Sequence, residues 1–320
     1  MLPLKSIQAA AKVVFVTLLV IFLLFLTVSL PLGAYLSLAF YNSDSPQTVN
    51  TLPLFIFGLV LPIKVSINAL AMLTLLLLLY SLLVYAAAKG PFANLYQTLK
   101  LVYHRGIASV QSNTLITVCT VFAPLLLVSV GLEYLQSLFG VETGALPKRE
   151  PLVDFVLLTY APLSEEFGFR LTLIGVVSSC LLLYYGEARS ALYALWRPSA
   201  FLDLKKPELK HLLNFLIIFS SFIFGLAHVL YGGGWGFGKV LPTFIAGLYL
   251  GWLYVKWGFH AAVLLHFLFN YFSGTFDYFA ELIDSTLLTD FVSIVLYLLG
   301  VVVLVWLTLR LTSLSRSRKD

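Results

Sequence analysis

Ala161-Pro162-Leu163-Ser164-Glu165-Glu166-Phe167-Gly168-Phe169-Arg170 places two adjacent carboxylates and an arginine inside apolar sequence, which runs from Leu152 to Tyr160 on one side and from Leu171 to Tyr185 on the other. A charged side chain at the centre of a bilayer costs roughly 2.5–3.5 kcal/mol on insertion scales. Three such groups in one membrane helix need a compensating use. Residues four apart share a helix face, so Glu166 stands one turn before Arg170, in the favourable order for an ion pair. Glu165 points about 100° away from Glu166 and has no such partner on its own helix. Glu166–Arg170 therefore reads as a structural pair and Glu165 as the working group. The competing reading is a packing ion pair, with both acids pinned to neighbouring helices.

The rest of the chain agrees with a membrane setting. Hydrophobic residues make up 60% of its 320 residues and charged residues 11%, and the mean hydropathy is +0.96. A soluble domain is about 25% charged. Runs of about 20 apolar residues each suit a membrane span, and such runs fill the chain, leaving no sizeable soluble domain. The expected fold class is all-α: a polytopic membrane bundle of about eight transmembrane helices with a polar intramembrane cavity. Cys119 and Cys180 both fall in apolar runs and read as buried free thiols. The net charge of +5 suits anionic lipid headgroups. No basic patch with interleaved aromatics lies in a soluble segment, so nucleic acid is not an expected partner.

Taken in order, span 1 covers Val13 to Phe40, and Asn42 to Pro53 reads as a loop. Span 2 ends at Ala88 and is firm from Val65. Lys89 to Asn113 is a basic connector whose apolar residues recur at helical spacing, which predicts a helix lying on the surface. Span 3 is Thr114 to Phe139 and span 4 is Leu152 to Tyr185. Span 5 is His211 to Leu230, followed by the glycine-rich Tyr231 to Lys239. Spans 6, 7 and 8 are Val240 to Val255, Phe259 to Phe279 and Leu288 to Leu311. With the N-terminus cytoplasmic, Lys and Arg concentrate in the inner segments, and only Lys148, Arg149 and Lys239 fall outside. That predicts a multi-pass protein of the cell membrane with both termini cytoplasmic.

Two histidines add to the intramembrane polar set. His228 closes Phe224-Gly225-Leu226-Ala227-His228 in span 5, and His266 opens His266-Phe267-Leu268-Phe269-Asn270 in span 7. His266 and Asn270, four apart, present donors on one helix face. A glutamate in a low-dielectric site can act as a base near neutral pH. A histidine beside it can hold and activate water, and a histidine with an asparagine can donate to a developing oxyanion. The set suits a water-activating hydrolase aimed at an amide. Neither cysteine has a histidine near it in sequence, and Ser164 lacks a nucleophile-elbow context. Zinc on Glu165, His228 and His266 is an alternative, though there is no His-Glu-x-x-His helix pair. A proton-coupled transporter using the same groups is another, but no pair of related halves is evident.

The ordered set Glu165-Glu166-x-x-x-Arg170, Phe224-x-x-x-His228 and His266-x-x-x-Asn270 resembles the three motifs of the CPBP intramembrane proteases. That family includes CaaX prenyl endopeptidases and bacteriocin-processing or immunity proteins. The resemblance covers Asp154 to Phe279. It implies Glu165 as catalytic base with His228 helping to activate water, His266 and Asn270 as the oxyanion site, and Glu166 with Arg170 as supporting groups. It also implies a glutamate-dependent, metal-independent endopeptidase with no cofactor. The expected partners are a peptide or protein substrate, lipidated or membrane-embedded, and the bilayer itself. A non-catalytic immunity or partner-binding scaffold of the same fold is the rival within the family. One departure is Leu171, where the family usually has glycine after the arginine.

The expected organisation is an N-terminal set of spans over 1–151, a catalytic core over 152–280, and a last span with a basic tail over 281–320. Depth poses a difficulty. At about 1.5 Å per residue, His266 lies near the inner end of span 7 and His228 near the outer end of span 5. Span 6 is shorter than a bilayer core of about 30 Å. Span 5 is therefore expected to project into the cytoplasm, with Tyr231 to Lys239 recessed.

Overall fold

The computed structural model describes residues 4–42, 44, 47–145, 149–202 and 206–316. Helices dominate: α1 (Leu4–Ala39), α2 (Ala69–Lys89), α3 (Leu95–Arg105) and α4 (Thr114–Leu138) come first. Next are α5 (Pro151–Glu166), α6 (Val177–Tyr184), α7 (Ala188–Ala194), α8 (Pro207–Tyr231) and α9 (Val240–Trp257). The chain closes with α10 (Phe259–Phe267), α11 (Ser273–Ile283) and α12 (Leu287–Arg316). Among the described residues, seven helices are long and apolar enough to cross a membrane, and the protein is a multi-pass helical bundle. The eighth expected span, α10 with α11, lies outside those seven. Ala261 to Leu268 is buried throughout, so this helix faces protein on all sides. That is why it can carry His266 and Asn270 at a cost that a lipid-facing helix would not bear.

Close approaches between helices rest on small residues, as expected where lipid tails are as apolar as leucine. Gly247 and Gly251 of α9 face Ser221 and Ile217 of α8, and an added Cβ would come within 2.9–3.0 Å of them. Gly300 of α12 lies against the Ala123 carbonyl and Pro124 of α4 in the same way.

Two ends of the bundle are identifiable. At one, Lys12 of α1 donates to the His104 carbonyl (3.4 Å) and Lys256 of α9 to Gln111 (3.1 Å). At the other, Lys239 pairs with Glu133 of α4 at 3.3 Å and its ammonium sits 4.3 Å over the Trp235 ring. The glycine-rich segment there is clasped by the loop after α4. Gly236 N donates to Thr143 O, Gly238 N to Glu142 O, and Ala145 N to Gly234 O.

The structure departs from the sequence reading between α1 and α2. The stretch read as a loop and the start of span 2 is an antiparallel hairpin, β1 (Thr48–Ile56) paired with β2 (Leu59–Asn68). Its two-residue turn, Phe57 (φ 49°) and Gly58 (φ 77°), has both centres left-handed, the turn form that matches the twist of paired strands. Cys180 is a smaller correction: it is exposed on α6, while Cys119 is buried. The basic connector does form a helix, α3, with a capping box between Asn94 and Gln97.

Candidate active site

The long span 4 is one continuous helical path from α5 into α6, but its middle, Phe167–Val176, is π-helical. A π turn bonds i to i+5 and disturbs the regular backbone ladder, and such turns cluster at functional sites. Neighbours meet the backbone here. Ser220 of α8 donates to the Phe169 carbonyl (2.6 Å) and Gly58 N, from the hairpin turn, donates to the Gly168 carbonyl (3.2 Å). Two hydroxyls lock the hairpin further. Phe55 N donates to Ser164 Oγ (3.3 Å), which donates to the Pro53 carbonyl, and Phe57 N donates to Thr172 Oγ1 (2.9 Å). Gly168 makes the approach possible, because a Cβ there would lie 2.6 and 2.7 Å from the Phe55 carbonyl carbon and oxygen. Phe55 also packs its ring on Phe169 and on Tyr231.

The carboxylates sit between the hairpin contacts. Glu166 and Arg170 are fully buried, with Arg170 Nε 3.2 Å from Glu166 Oε2. The guanidinium carbon lies 4.4 Å from the Phe224 ring centre, a cation–π contact. The guanidinium nitrogens and Glu166 Oε2 make no aligned hydrogen bond, so charge and the aromatic face hold the arginine. Glu166 Oε1 takes a second partner, His266 Nδ1, at 2.9 Å. The other ring nitrogen, His266 Nε2, is 3.8 Å from Glu165 Oε2. His266 thus stands between the two glutamates. Glu165 keeps 17% of its side chain accessible where Glu166 keeps none. Glu166 is paired with Arg170, as the four-residue spacing predicts, and Glu165 contacts His266 on another helix.

His228 joins the group through Phe224. Its Nδ1 is 2.9 Å from the Phe224 carbonyl, and a carbonyl only accepts, so Nδ1 carries the hydrogen and Nε2 has the lone pair in the neutral ring. The Phe224 ring lies edge-on to both imidazoles, 4.7 Å from His228 and 5.7 Å from His266. Spans 5 and 7, which a straight-helix picture leaves with their histidines at different depths, therefore meet on one aromatic ring.

Asn270 meets the same helix α5 as His266 does, nearer its start. Its amide donates weakly to the Leu158 carbonyl of α5 (3.4 Å), two turns before Glu165. Asn270 sits inside a second π turn, Leu268–Phe272. Leu158 also borders a cavity of about 330 Å³ walled by Asp154, Gly274 and Asp277 among others. Glu165, His228 and Asn270 are not in its wall, so this opening is separate from the carboxylate–histidine group.

Sequence reasoning missed the hairpin, Ser164 as its anchor, Thr172 and Ser220. The available signal was the alternation of apolar and polar residues from Leu61 to Asn68, just after Gly58. Among the described residues, no group of three or more His, Cys, Asp and Glu side chains is arranged to hold a metal ion.

The fold and this group define a polytopic membrane protein with a histidine bridging two glutamates inside the bundle. Residues 148–272 match the family model described as type II CAAX prenyl endopeptidase Rce1-like. The matched segment runs from the start of α5 through the second π turn and contains every residue of the three motifs, and it supports membership of the CPBP/CAAX protease family. The hairpin and α3 lie outside it. No curated protein and no solved structure matches the chain.

Proposed function

We propose that the protein is an intramembrane endopeptidase that hydrolyses a peptide bond with a water activated by Glu165. The observation that carries this reading is His266 standing between a fully buried glutamate and an accessible one. Glu165 is half-buried, which leaves room for a water against its carboxylate.

In this mechanism Glu165 takes a proton from water as the oxygen attacks the carbonyl carbon. His228, its Nδ1 tied to the Phe224 carbonyl, offers Nε2 as an acceptor that orients the same water. The negative charge goes to the former carbonyl oxygen. His266 donates Nδ1–H to Glu166, so its Nε2 becomes a donor to that oxyanion once it holds a proton, and Glu165 is the adjacent source. Asn270 is the second donor, its amide leaving the long bond to Leu158; catalytic hydrogen bonds are often long before substrate binds. Collapse breaks the C–N bond, and the proton returns to the leaving amine. No metal enters any step. Glu166 and Arg170 act by fixing His266.

The substrate class is a peptide or protein that reaches the site from the membrane, lipidated near the scissile bond or embedded. Both termini are cytoplasmic, as the clustering of Lys12, Lys256 and α3 at one end suggests. The test is cleavage of a prenylated C-terminal reporter peptide by the purified protein in nanodiscs. Cleavage with loss on Glu165→Gln supports the proposal. A wild-type protein that binds the peptide without cutting it makes the chain a scaffold.

A further inference from the structure

The segment joining α2 to α4 lies outside the family match and has no part in the carboxylate–histidine group. It begins and ends at the ends of two candidate spans, so α3 lies across one end of the bundle. A cavity of about 440 Å³ opens there, lined by Ala93, Gln97, Lys100, Leu101, His104 and Arg105. Its lining carries positive charge with no acid among it. No acidic residue occurs between Asp44 and Glu133. Neither Lys100 nor Arg105 takes part in an ion pair among the described residues. Lys12, whose ammonium reaches the His104 carbonyl, adds a further cation beside it.

The same helix carries a second stripe of different chemistry. Tyr96 and Tyr103, seven apart and so on one face, are both exposed, and Phe92 just before the helix is 74% exposed. Exposed aromatic rings at the end of a transmembrane bundle belong at headgroup depth, where one edge is apolar and the other wet. The apolar side of α3 turns inward instead, burying Val102 and Thr98. The helix thus lies along the interface with aromatics toward lipid and a cationic hollow beside them.

We propose that this hollow binds the phosphodiester headgroup of an anionic membrane lipid. Lys100 and Arg105 supply the charge and Gln97 a neutral donor. The lipid, rather than free phosphate, is the source because Phe92, Tyr96 and Tyr103 place the hollow at headgroup depth. Occupancy ties α3 to the leaflet and steadies the inner ends of α1, α2 and α4.

The test uses the full chain in nanodiscs of phosphatidylcholine alone or mixed with phosphatidylglycerol, released and read by native mass spectrometry. The expected result is selective retention of phosphatidylglycerol by the wild type. Lys100→Gln with Arg105→Gln weakens it about 30-fold, roughly fivefold for each charge near the surface. Lys100→Arg with Arg105→Lys keeps it, which separates lost charge from lost folding. Lys89→Gln, outside the hollow, also keeps it. Equal retention of the two lipids by the wild type overturns the proposal, as does undiminished retention by the double glutamine variant. Displacement by excess inorganic phosphate overturns the lipid assignment. None of these readings depends on peptidase activity.

Discussion

Gly168→Ala probes the link between the hairpin and the catalytic helix. The added methyl would lie 2.6 Å from the Phe55 carbonyl carbon and 2.7 Å from its oxygen. Normal contact needs about 3.4 Å or more, so backbone must move by several tenths of an ångström. The far side is not a flexible side chain, which rules out cheap relief. Overpacking of this kind costs about 1–3 kcal/mol. Three hairpin donors, Phe55 N, Phe57 N and Gly58 N, reach Ser164, Thr172 and Gly168, and each bond weakened forfeits up to about 1 kcal/mol. Alanine in place of a helical glycine returns about 0.5–1 kcal/mol. The net expectation is a loss of about 2–4 kcal/mol, concentrated at the hairpin. The assay compares thermal inactivation and peptide cleavage of Gly168→Ala with Gly131→Ala in α4, where nothing lies within 4 Å of an added Cβ. Gly168→Ala should inactivate at markedly lower temperature and cleave more slowly, while Gly131→Ala should match or exceed wild type. Equal behaviour of the two would refute the view that the hairpin holds the π-helical segment in place.

Glu166→Gln should destabilise the protein by about 3–5 kcal/mol, because it leaves Arg170 charged and buried without its partner; unchanged resistance to denaturation would contradict this. Asn270→Ala should lower kcat by about 10²–10³ if the amide serves the oxyanion, and a kcat within twofold of wild type assigns Asn270 to packing against Leu158 alone. His228→Ala should reduce cleavage by at least about 10² while leaving the ion pair of Glu166 and Arg170 intact in a thermal assay. Purified protein should hold less than stoichiometric zinc and keep its activity in chelators, and a firmly bound zinc lost on His228→Ala would reverse the mechanism.

What the sequence made legible were features whose cost is local. A carboxylate pair with an arginine in an apolar run announces itself, because insertion of each charge must be offset. The ordered motifs located Glu166, Arg170 and His266, and the structure joins these three in one contact chain. What stayed hidden depended on tertiary partners. Leu61 to Asn68 does alternate apolar and polar residues, but the two prolines of the pair, Pro53 and Pro62, and the apolar run that begins α2 immediately after it obscure the strand. The turn uses Phe57 at positive φ in place of the usual Asn or Asp, which removed the ordinary hairpin signal. The first π turn was equally invisible, since its backbone meets Ser220 and Gly58, far off in sequence. The second π turn, which contains Asn270, had no sequence signal either.

The central claim is that the accessible glutamate beside His266 activates water for peptide hydrolysis. The most direct measurement is the cleavage rate of a prenylated reporter peptide by wild type, Glu165→Gln and Glu165→Asp in the same nanodiscs, with folding of each checked by thermal inactivation. Glutamine keeps the size of the side chain and removes the base, so its rate should fall by at least about 10², the usual worth of a general base. Aspartate keeps the carboxylate but withdraws it by one methylene, so it should retain partial activity. A folded Glu165→Gln protein that cleaves as fast as wild type would contradict the account.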